Sequence, residues 1–320
     1  MNILGIETSC DETAAAVVGD GVRVLSNTVV SSLKDHEPFG GIIPEIASRR
    51  QIEYIHDVVA ESLRQAALTL DQIDAVAVTK APGLIGSLLV GLCFARGLSR
   101  AKGLRLVEVD HIKAHLYANY LQWTQEHTAC GQQRLPAVGL VVSGGHSSLF
   151  HVRSFRDFKL LGVTRDDAAG EAFDKVARIL GLGYPGGPVI DRLAASGANE
   201  QIKFPQAPIK GSYDFSFSGT KTAVLYYTQK NKNKPDYSPA KVAYSFQESV
   251  VGVLADKALK ACHKLKVPTL LIGGGVAANS ALRRQLQQRA ALEGIDVFFP
   301  PMSLCLDNAA MVAGLAYHSL

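Results

Sequence analysis

Short apolar runs alternate with polar turns along the first half of the chain. Residues 2–7 and 14–18 are apolar and rich in strand-forming side chains, and the polar stretch TSCDET separates them. Asp20-Gly21 is typical of a two-residue hairpin turn, so residues 22–31 are predicted to form a third strand. In the rest of this half, helices are predicted at residues 52–70 and 86–102 and buried strands at 73–79 and 105–109. A further helix, which carries the stretch HIKAH, is predicted directly after the last of these strands.

The same order of elements returns in the second half. Residues 137–142 are apolar, the glycine-bearing turn SGGHS follows, and residues 148–152 and 158–164 are predicted as two further strands. A strand, a polar turn and two strands therefore head each half, which indicates an internal duplication. The later elements are predicted as helices at residues 170–180, 240–265, 278–292 and 307–320, and strands at 269–272 and 297–300.

These two halves define two lobes. The polar stretch 124–134 shows no apolar period, and we place the lobe boundary there. The N-terminal lobe covers residues 1–134 and is completed by a C-terminal helix at 306–320, and the C-terminal lobe covers residues 135–305. Strands that alternate with helices predict an α/β fold in each lobe.

Three polar turns follow predicted buried strands: ETSCDET, SGGHS and GGGVAANS. Glycine lets the backbone approach a phosphate closely, and a following helix N-terminus adds positive potential. Two of these turns head the duplicated halves. Together the turns predict a nucleotide cleft between two similar lobes, the fold class of actin-like ATPases, sugar kinases and chaperone ATPases.

The composition narrows the class of protein. The chain has 320 residues, of which 47% are hydrophobic and 19% charged, so a large core can form and disorder is not expected. The net charge of +4 permits a nucleic-acid partner without arguing for one. The five cysteines form no C-x-x-C pair, which favours a reducing compartment. The longest apolar run, 84–95, is shorter than the roughly 20 residues that span a bilayer. We therefore expect a cytoplasmic protein with no membrane partner.

The stretch HIKAH contains a candidate metal site. On a helix, His111 and His115 lie on one face, so both imidazoles can reach one ion. Zinc proteases carry H-E-x-x-H, but Ile112 stands where their glutamate would be. Asp307, at the start of the predicted terminal helix, is a candidate third ligand. Two histidines and one carboxylate suit ferrous iron or zinc, whereas the alternative is a purely structural histidine pair.

Other polar side chains are candidates for proton transfer and ligand binding. Asp11 and Glu12 lie in the first polar turn and could act as a base, although Asp11 alone could simply cap a turn. Asp174, near a helix start, and Asp191, after a glycine pair, could accept hydrogen bonds from ligand hydroxyls; the alternatives are a capped and a solvated helix start. Asn279, on the third glycine turn, could contact a nucleotide edge.

Nine motifs together resemble one family, the tRNA N6-adenosine threonylcarbamoyltransferases, in their bacterial or organellar form. They occur in the expected order and span almost the whole chain: ETSCDET, GGIIPEIASRR, HIKAHLYA, VVSGGHS, GEAFDKVAR, GYPGGPVIDRLA, FSFSGTKTA, GGGVAANSALR and CLDNAAMVA. Members of this family were once described as O-sialoglycoprotein endopeptidases. The resemblance implies the two-lobed fold of the actin-like ATPase class.

The resemblance also implies a reaction and a set of site residues. The threonylcarbamoyl group of threonylcarbamoyl-adenylate moves to N6 of adenosine 37 in tRNAs that read codons beginning with A, and AMP leaves. One divalent metal per subunit, ferrous iron or alternatively zinc, would be held by His111, His115 and Asp307, and Asp11 and Glu12 would be the catalytic carboxylates. The adenylate would be bound by Val141, Val142, Ser143, Gly144, Gly145, Asp174, Gly187, Asp191 and Asn279.

The implied partners are the tRNA anticodon loop, a non-catalytic paralogue subunit and a small P-loop ATPase. The helix at 86–102 and the outer face of the HIKAH helix, with Leu116 and Tyr120, are candidates for the protein contact. Arg49, Arg50 and the run 230–234 are candidates for contact with RNA. The competing hypotheses are a small-molecule phosphotransferase of the same fold, an inactive binding subunit and a metalloprotease.

Overall fold

A computed structural model describes residues 1–122, 135–197, 201–205, 209 and 211–320. The chain forms two compact units, one of Met1–Gln133 with Pro300–Leu320 and one of Arg134–Phe299. The predicted lobe boundary at 124–134 lies outside the described residues. Within the parts of the chain that are described, no helix combines the length and the apolar character needed to cross a membrane.

Ten strands form two five-stranded sheets within the described residues. In chain order the strands are β1 (Asn2–Glu7), β2 (Glu12–Gly19), β3 (Arg23–Ser31), β4 (Ala75–Ala81), β5 (Arg105–Asp110), β6 (Ala137–Val142), β7 (Ser147–Ser154), β8 (Asp157–Val163), β9 (Thr269–Gly273) and β10 (Asp296–Phe298). The first unit has the order β3-β2-β1-β4-β5, and the second has β10-β9-β6-β7-β8. In the first sheet β1 is antiparallel to β2 and parallel to β4, and in the second sheet β6 is antiparallel to β7 and parallel to β9. This repeated topology confirms the predicted α/β class and duplication.

Ten α-helices complete the described part of the chain. They are α1 (Leu33–His36), α2 (Pro44–Gln65), α3 (Ile85–Lys102), α4 (His111–Tyr117), α5 (Ala169–Ile179), α6 (Gly186–Ala194), α7 (Ser218–Asn231), α8 (Pro239–Leu265), α9 (Ser280–Leu292) and α10 (Ala309–Ala316). Helix α2 begins before the predicted residue 52 because Pro44 is suited to the first helical turn.

The start of the last helix differs from its prediction at residues 306–307. Helix α10 begins at Ala309, and Asn308 is its N-cap, with a side-chain oxygen that accepts a hydrogen bond from the Met311 N–H at 3.0 Å. The Asn308 backbone is extended, so Asp307 precedes the helix rather than opening it. Asp307 therefore lies on a connecting segment, and the cap at Asn308 fixes where that segment ends.

The sheet of the first unit carries helices on both of its faces. Leu4 and Ile6 of β1 belong to a buried cluster that includes Ile55 and Val58 of α2. Side chains alternate along a strand, so Gly5 points to the opposite face. A β carbon at Gly5 would collide with the Ala309 carbonyl, so the missing side chain lets α10 pack directly on β1. This packing fixes the position of Asp307 relative to the sheet.

The second unit is organised around the long helix α8. Its Phe246 is fully buried and meets Phe173 of α5 edge to face, with 5.1 Å between ring centroids. Helix α6 also packs on α8, so α5 and α6 are fixed close to the sheet. These two helices carry the predicted ligand residues Asp174, Gly187 and Asp191.

Candidate metal centre and ligand-binding turns

The HIKAH histidines lie on the short helix α4, directly after strand β5. Asp110 caps this helix by accepting a hydrogen bond from the Lys113 N–H at 3.0 Å. His111 is 5% exposed and His115 is 1% exposed, and their ring centroids are 4.7 Å apart. The i, i+4 spacing therefore places two nearly inaccessible imidazoles side by side.

Asp307 meets both histidines. Its Oδ1 lies 3.1 Å from His115 Nε2 and 3.7 Å from His111 Nε2. One ligand atom from each of the three residues falls within 4.8 Å of the others. The structure thus brings together the three residues predicted as metal ligands, two from one helix and one from the segment before α10.

Glu7, at the end of β1, orients His111 from behind. Its Oε2 lies 3.1 Å from His111 Nδ1 and accepts a hydrogen bond from the Thr79 hydroxyl at 2.5 Å, and the Ser9 hydroxyl lies 3.1 Å from the same ring nitrogen. When one ring nitrogen of a histidine binds a metal, a carboxylate that accepts a hydrogen bond from the other nitrogen fixes the tautomer and the orientation of the ring. His111 is therefore held with Nε2 directed towards Asp307.

The charges around these groups favour a cation. Burial alone raises the pKa of Glu7, but the charge and hydrogen bond of His111 outweigh it and leave that pKa below its usual value. Burial lowers the pKa of His111, but the negative charges of Asp307 and Glu7 prevail and raise it to about 9. The negative charges of Glu7 and Asp307 that raise this pKa would also favour a metal cation beside His111.

His115 tests whether a metal fits. Both ring nitrogens are buried, and within the described residues neither makes a hydrogen bond, although Asp307 Oδ1 lies 3.1 Å from Nε2. A buried nitrogen that makes no hydrogen bond is costly, and binding of Nε2 to an ion would remove that cost for one nitrogen. Two imidazoles and a carboxylate match the donor sets of ferrous iron and zinc. The residues present therefore fit a divalent metal.

The two predicted catalytic carboxylates lie where the β1–β2 turn meets strand β2. Asp11 is 7% exposed, and Glu12 is the first residue of β2 rather than part of the turn. Burial raises the pKa of Glu12 well above its usual value, and the charges of Asp307 and Asp11 raise it further. Glu12 therefore keeps its proton to a higher pH than a free carboxyl group would.

In the second unit, the turn after β6 contains two open glycines. A β carbon at Gly144 or Gly145 would meet nothing within 4 Å, so both positions face free space. The turn itself is fixed, since the Ser143 carbonyl accepts a hydrogen bond from the Gly170 N–H of α5 at 3.1 Å. Val141 and Val142 are fully buried in β6, so their side chains belong to the core and only their backbone could serve a ligand.

Asp174 is held by the glycine turn that begins α6. Its Oδ1 accepts a hydrogen bond from the Gly186 N–H at 2.7 Å. Burial raises the pKa of Asp174, and hydrogen bonds from the backbone of Gly186 and Gly187 oppose that rise. A β carbon at Gly187 would meet nothing within 4 Å, so the turn is open on that side.

Asp191 and Asn279 meet at the start of α9. Asp191 accepts hydrogen bonds from the Ser280 N–H at 3.0 Å and the Ser280 hydroxyl at 2.8 Å. The Asn279 oxygen caps α9 by accepting from the Leu282 N–H, and its amide donates to Gln247. These side chains thus already stabilise the turn, which corrects the view of Asp191 as a solvated helix start.

One further prediction about the first unit is wrong. Leu116 and Tyr120 are 1% and 8% exposed, so the chain itself covers them and neither needs a partner. Arg50 forms ion pairs with Asp35 and Glu53, and its contact with RNA stays a prediction. Glu7 opens the ETSCDET stretch, whose carboxylates could position a metal, and the structure places it against His111.

Solved structures first define the class of protein. Full-length HypF in its phosphate- and nucleotide-bound form matches with a TM-score of 0.65 at 13% identity, over 99% of this chain and 55% of that one. The ROK hexokinase of Thermus thermophilus matches with a TM-score of 0.50 at 16% identity, over 99% and 97%. At such identities the likeness shows the fold alone, which is that of the actin-like ATPase and sugar kinase class, as predicted.

Sequence comparison then identifies the family. The family model for tRNA N6-adenosine threonylcarbamoyltransferase matches residues 23–314. The enzyme of that name from Clostridium botulinum is 51% identical over 319 residues, which cover 99% of this chain and 92% of the relative. That from Fusobacterium nucleatum is 50% identical over 321 residues, covering 100% and 92%. The chain belongs to the tRNA N6-adenosine threonylcarbamoyltransferase family.

Proposed function

We propose that the chain transfers the threonylcarbamoyl group of threonylcarbamoyl-adenylate to N6 of adenosine 37 in tRNAs that read codons beginning with A. Family membership supports this proposal, and the observation that carries its chemistry is the cluster formed by the buried His111 and His115 with the half-buried Asp307. The absence of a glutamate beside these histidines, where Ile112 is buried, disfavours the protease hypothesis. The reaction would take place in the cytoplasm.

The three metal-binding side chains would hold one divalent ion, which we propose to be ferrous iron, with zinc as the alternative. When bound, the ion supplies Lewis-acid stabilisation of negative charge on substrate oxygens. Glu7 keeps the His111 ring in the orientation that this site needs, through the 3.1 Å contact to Nδ1.

Asp11 and Glu12 would handle the proton. The adenine amine attacks the carbamoyl carbon, a C–N bond forms, and the bond from that carbon to the phosphate oxygen breaks as AMP leaves. The amine must lose a proton, and a carboxylate of the β1–β2 turn would accept it. We propose Asp11 as the acceptor, with Glu12 beside it holding its own proton to a higher pH than a free carboxyl group would.

The turns of the second unit would bind the adenylate. The backbone of Val141–Gly145 would approach the phosphate, where Gly144 and Gly145 leave space that any side chain would fill. A carboxylate can accept about four hydrogen bonds, so Asp174 and Asp191 retain capacity for ligand hydroxyls beyond those they accept from the protein. Gly187 leaves room beside Asp174, and Asn279 keeps a second amide hydrogen for a nucleotide edge.

The protein partners would be a non-catalytic paralogue and a small P-loop ATPase. Helix α3 presents Ile85 at 79% and Leu89 at 54% exposure, and Ile52 of the neighbouring helix α2 is 65% exposed. An exposed apolar stripe of this kind is suited to a protein contact, and we assign it to the paralogue.

The tRNA anticodon loop would present adenosine 37 to this enzyme, and arginine and lysine side chains would bind the phosphates of the loop. Arg49 pairs with Glu45 and Arg50 with Asp35, so both are weaker candidates than the exposed lysines of 230–234.

A reconstituted reaction tests the proposal. The purified chain, with its two partner proteins, is incubated with threonylcarbamoyl-adenylate and unmodified tRNA, and nucleosides are then analysed by mass. We expect threonylcarbamoyladenosine in the tRNA and an equal amount of AMP. Unmodified tRNA under these conditions, or transfer of a nucleotide γ-phosphate to a small acceptor, would overturn the assignment.

A further inference from the structure

Gln51 is a fully buried polar residue on α2 that faces the β1–β2 turn. Its side-chain amide donates to the Cys10 carbonyl at 2.9 Å, the Glu12 carbonyl at 3.1 Å and, more weakly, the Thr8 carbonyl at 3.4 Å. Its exposed fraction is 0%. One side chain thus contacts carbonyls at alternate positions along the segment that carries the catalytic carboxylates.

The remaining carbonyls of this segment are also held by the protein. The Ser9 carbonyl accepts from the Leu84 N–H at 2.8 Å, and the Asp11 carbonyl accepts from Ser32, whose hydroxyl lies at 2.8 Å. The Cys10 carbonyl receives a second bond from the Ser87 hydroxyl at 3.2 Å. Every carbonyl from residue 8 to residue 12 therefore has a donor, and for those of Thr8 and Glu12 the donor is Gln51.

This role requires the glutamine side chain. Methionine has nearly the same length and volume but no N–H group, and glutamate would direct oxygen atoms at three carbonyl oxygens. The amide is also held firmly, because α2 is a 22-residue helix whose Ile55 and Val58 are buried against the sheet. The amide is therefore a fixed point to which the turn is bonded.

The turn lies beside the candidate metal ligands, since the Ser9 hydroxyl is 3.1 Å from His111 Nδ1. A shift of the turn backbone would move the carboxyl groups of Asp11 and Glu12 relative to Asp307. Misplacement of a catalytic group by about 1 Å can lower a rate by about 100-fold.

We propose that Gln51 is a positioning residue for the transfer reaction, which fixes the backbone of residues 8–12 so that Asp11 and Glu12 keep their places beside the metal site. This inference rests on the proposed function of those two carboxylates. Gln51 acts through the turn and does not touch the substrate.

The test compares Gln51→Met with a matched control, Ser62→Ala. Ser62 is also fully buried on α2, and its hydroxyl lies 2.8 Å from the Ser26 hydroxyl. The Ser62→Ala variant therefore loses one buried hydrogen bond at a position far from the turn in sequence. We expect Gln51→Met to lower kcat by about 10- to 100-fold. The KM values for adenylate and tRNA should stay within about threefold of wild type, as for a loss specific to the transition state.

Two further measurements separate positioning from general damage. Gln51→Met should retain the metal content of the wild type, because His111, His115 and Asp307 are unchanged. Hydrogen–deuterium exchange should become faster in the peptide covering residues 7–13 of this variant. Ser62→Ala should keep the wild-type kcat and the wild-type exchange of that peptide, even if its melting temperature falls.

A wild-type kcat in Gln51→Met would overturn the inference, as would equal loss of kcat in Ser62→Ala. If Gln51→Met does not fold, Gln51→Asn replaces it, because this variant keeps the amide but retracts it by roughly 1.5 Å. A wild-type kcat in that variant, with unchanged exchange at residues 7–13, would equally overturn it. Asp11→Asn and Glu12→Gln are measured in parallel. Full activity in both would refute the proposed role of the carboxylates, whereas loss there with full activity in Gln51→Met would refute only the role of Gln51.

Discussion

The β1–β2 turn and the β6–β7 turn occupy the same place in two sheets of the same topology, yet their chemistry differs. In the first, Thr8, Ser9 and Asp11 are all buried, and side chains from two helices hold the carbonyls. In the second, Gly144 and Gly145 are exposed and face free space. The same scaffold thus presents carboxylates near the candidate metal ligands in one unit and bare backbone in the other.

The difference shows what duplication leaves free to change. Strand order and pairing are kept because each sheet must bury both faces. The turns are constrained only by their ends, so their side chains can diverge. We therefore expect substitutions in the first turn to affect chemistry and substitutions in the second to affect ligand binding, and the following predictions test that division.

The largest expected effect comes from removing both imidazoles. The double variant His111→Ala, His115→Ala should lower kcat/KM for transfer by about 10³-fold or more. The reason is that no metal ion would remain to stabilise negative charge on the substrate oxygens. The exposed His56, which pairs with its neighbour Asp57, provides the control His56→Ala, and this variant should keep wild-type activity. Steady-state assays of tRNA modification measure both. Comparable activity in the double variant would remove the metal from the mechanism.

Replacing the two carboxylates separately should resolve their roles. Asp11→Asn should lower kcat by about 10²- to 10⁴-fold, the range for loss of a general base. Glu12→Gln should lose less, because burial and the neighbouring carboxylates raise the pKa of Glu12 and so favour its neutral form, which glutamine resembles. The measurement is single-turnover transfer at saturating adenylate. The reverse order of effects would assign the base to Glu12.

Glu7→Gln should weaken the metal site without abolishing transfer. Removing the carboxylate behind His111 leaves the ring less firmly oriented, so metal affinity should fall by about 10- to 100-fold. Titration of metal-depleted protein measures this affinity, and kcat at saturating metal should stay close to wild type. Unchanged affinity would show that Glu7 serves only the fold.

The second turn should respond in ligand binding alone. Gly144→Ala places a methyl group in open space, so the melting temperature should not change, whereas adenylate binding should weaken by about tenfold. In contrast, a β carbon at Gly170 would lie 2.6 Å from the Ser143 carbonyl oxygen, so Gly170→Ala should cost about 1–3 kcal/mol of stability. Calorimetry gives both quantities. Normal adenylate binding by Gly144→Ala would place the ligand elsewhere.

The sequence predicts the fold better than the site, and the reason is the range of the contacts. Periodicity and turn residues are local, so the two sheets and most of their helices follow from them. The contact of Glu7 with His111 joins residues 104 positions apart, and that of Gln51 with Cys10 joins residues 41 apart. No local pattern encodes such pairs.

Side-chain exposure was equally hard to predict. Leu116 and Tyr120 are apolar residues on or just after a short helix, and only the packing of the rest of the unit determines that they are covered. Asp307 was predicted from the resemblance and from an apolar stripe. Its position depends on the absence of a side chain at Gly5, which allows α10 to pack on β1.

The most direct test of the account is the metal content of the purified chain. Elemental analysis of the wild type, of Asp307→Ala and of the exposed control Asp57→Ala would be compared after identical purification. We predict one iron or zinc per chain in the wild type and in Asp57→Ala, and a clearly substoichiometric amount in Asp307→Ala. Equal metal in all three proteins, or none in the wild type after reconstitution with either ion, would contradict the assignment of His111, His115 and Asp307 as the metal site.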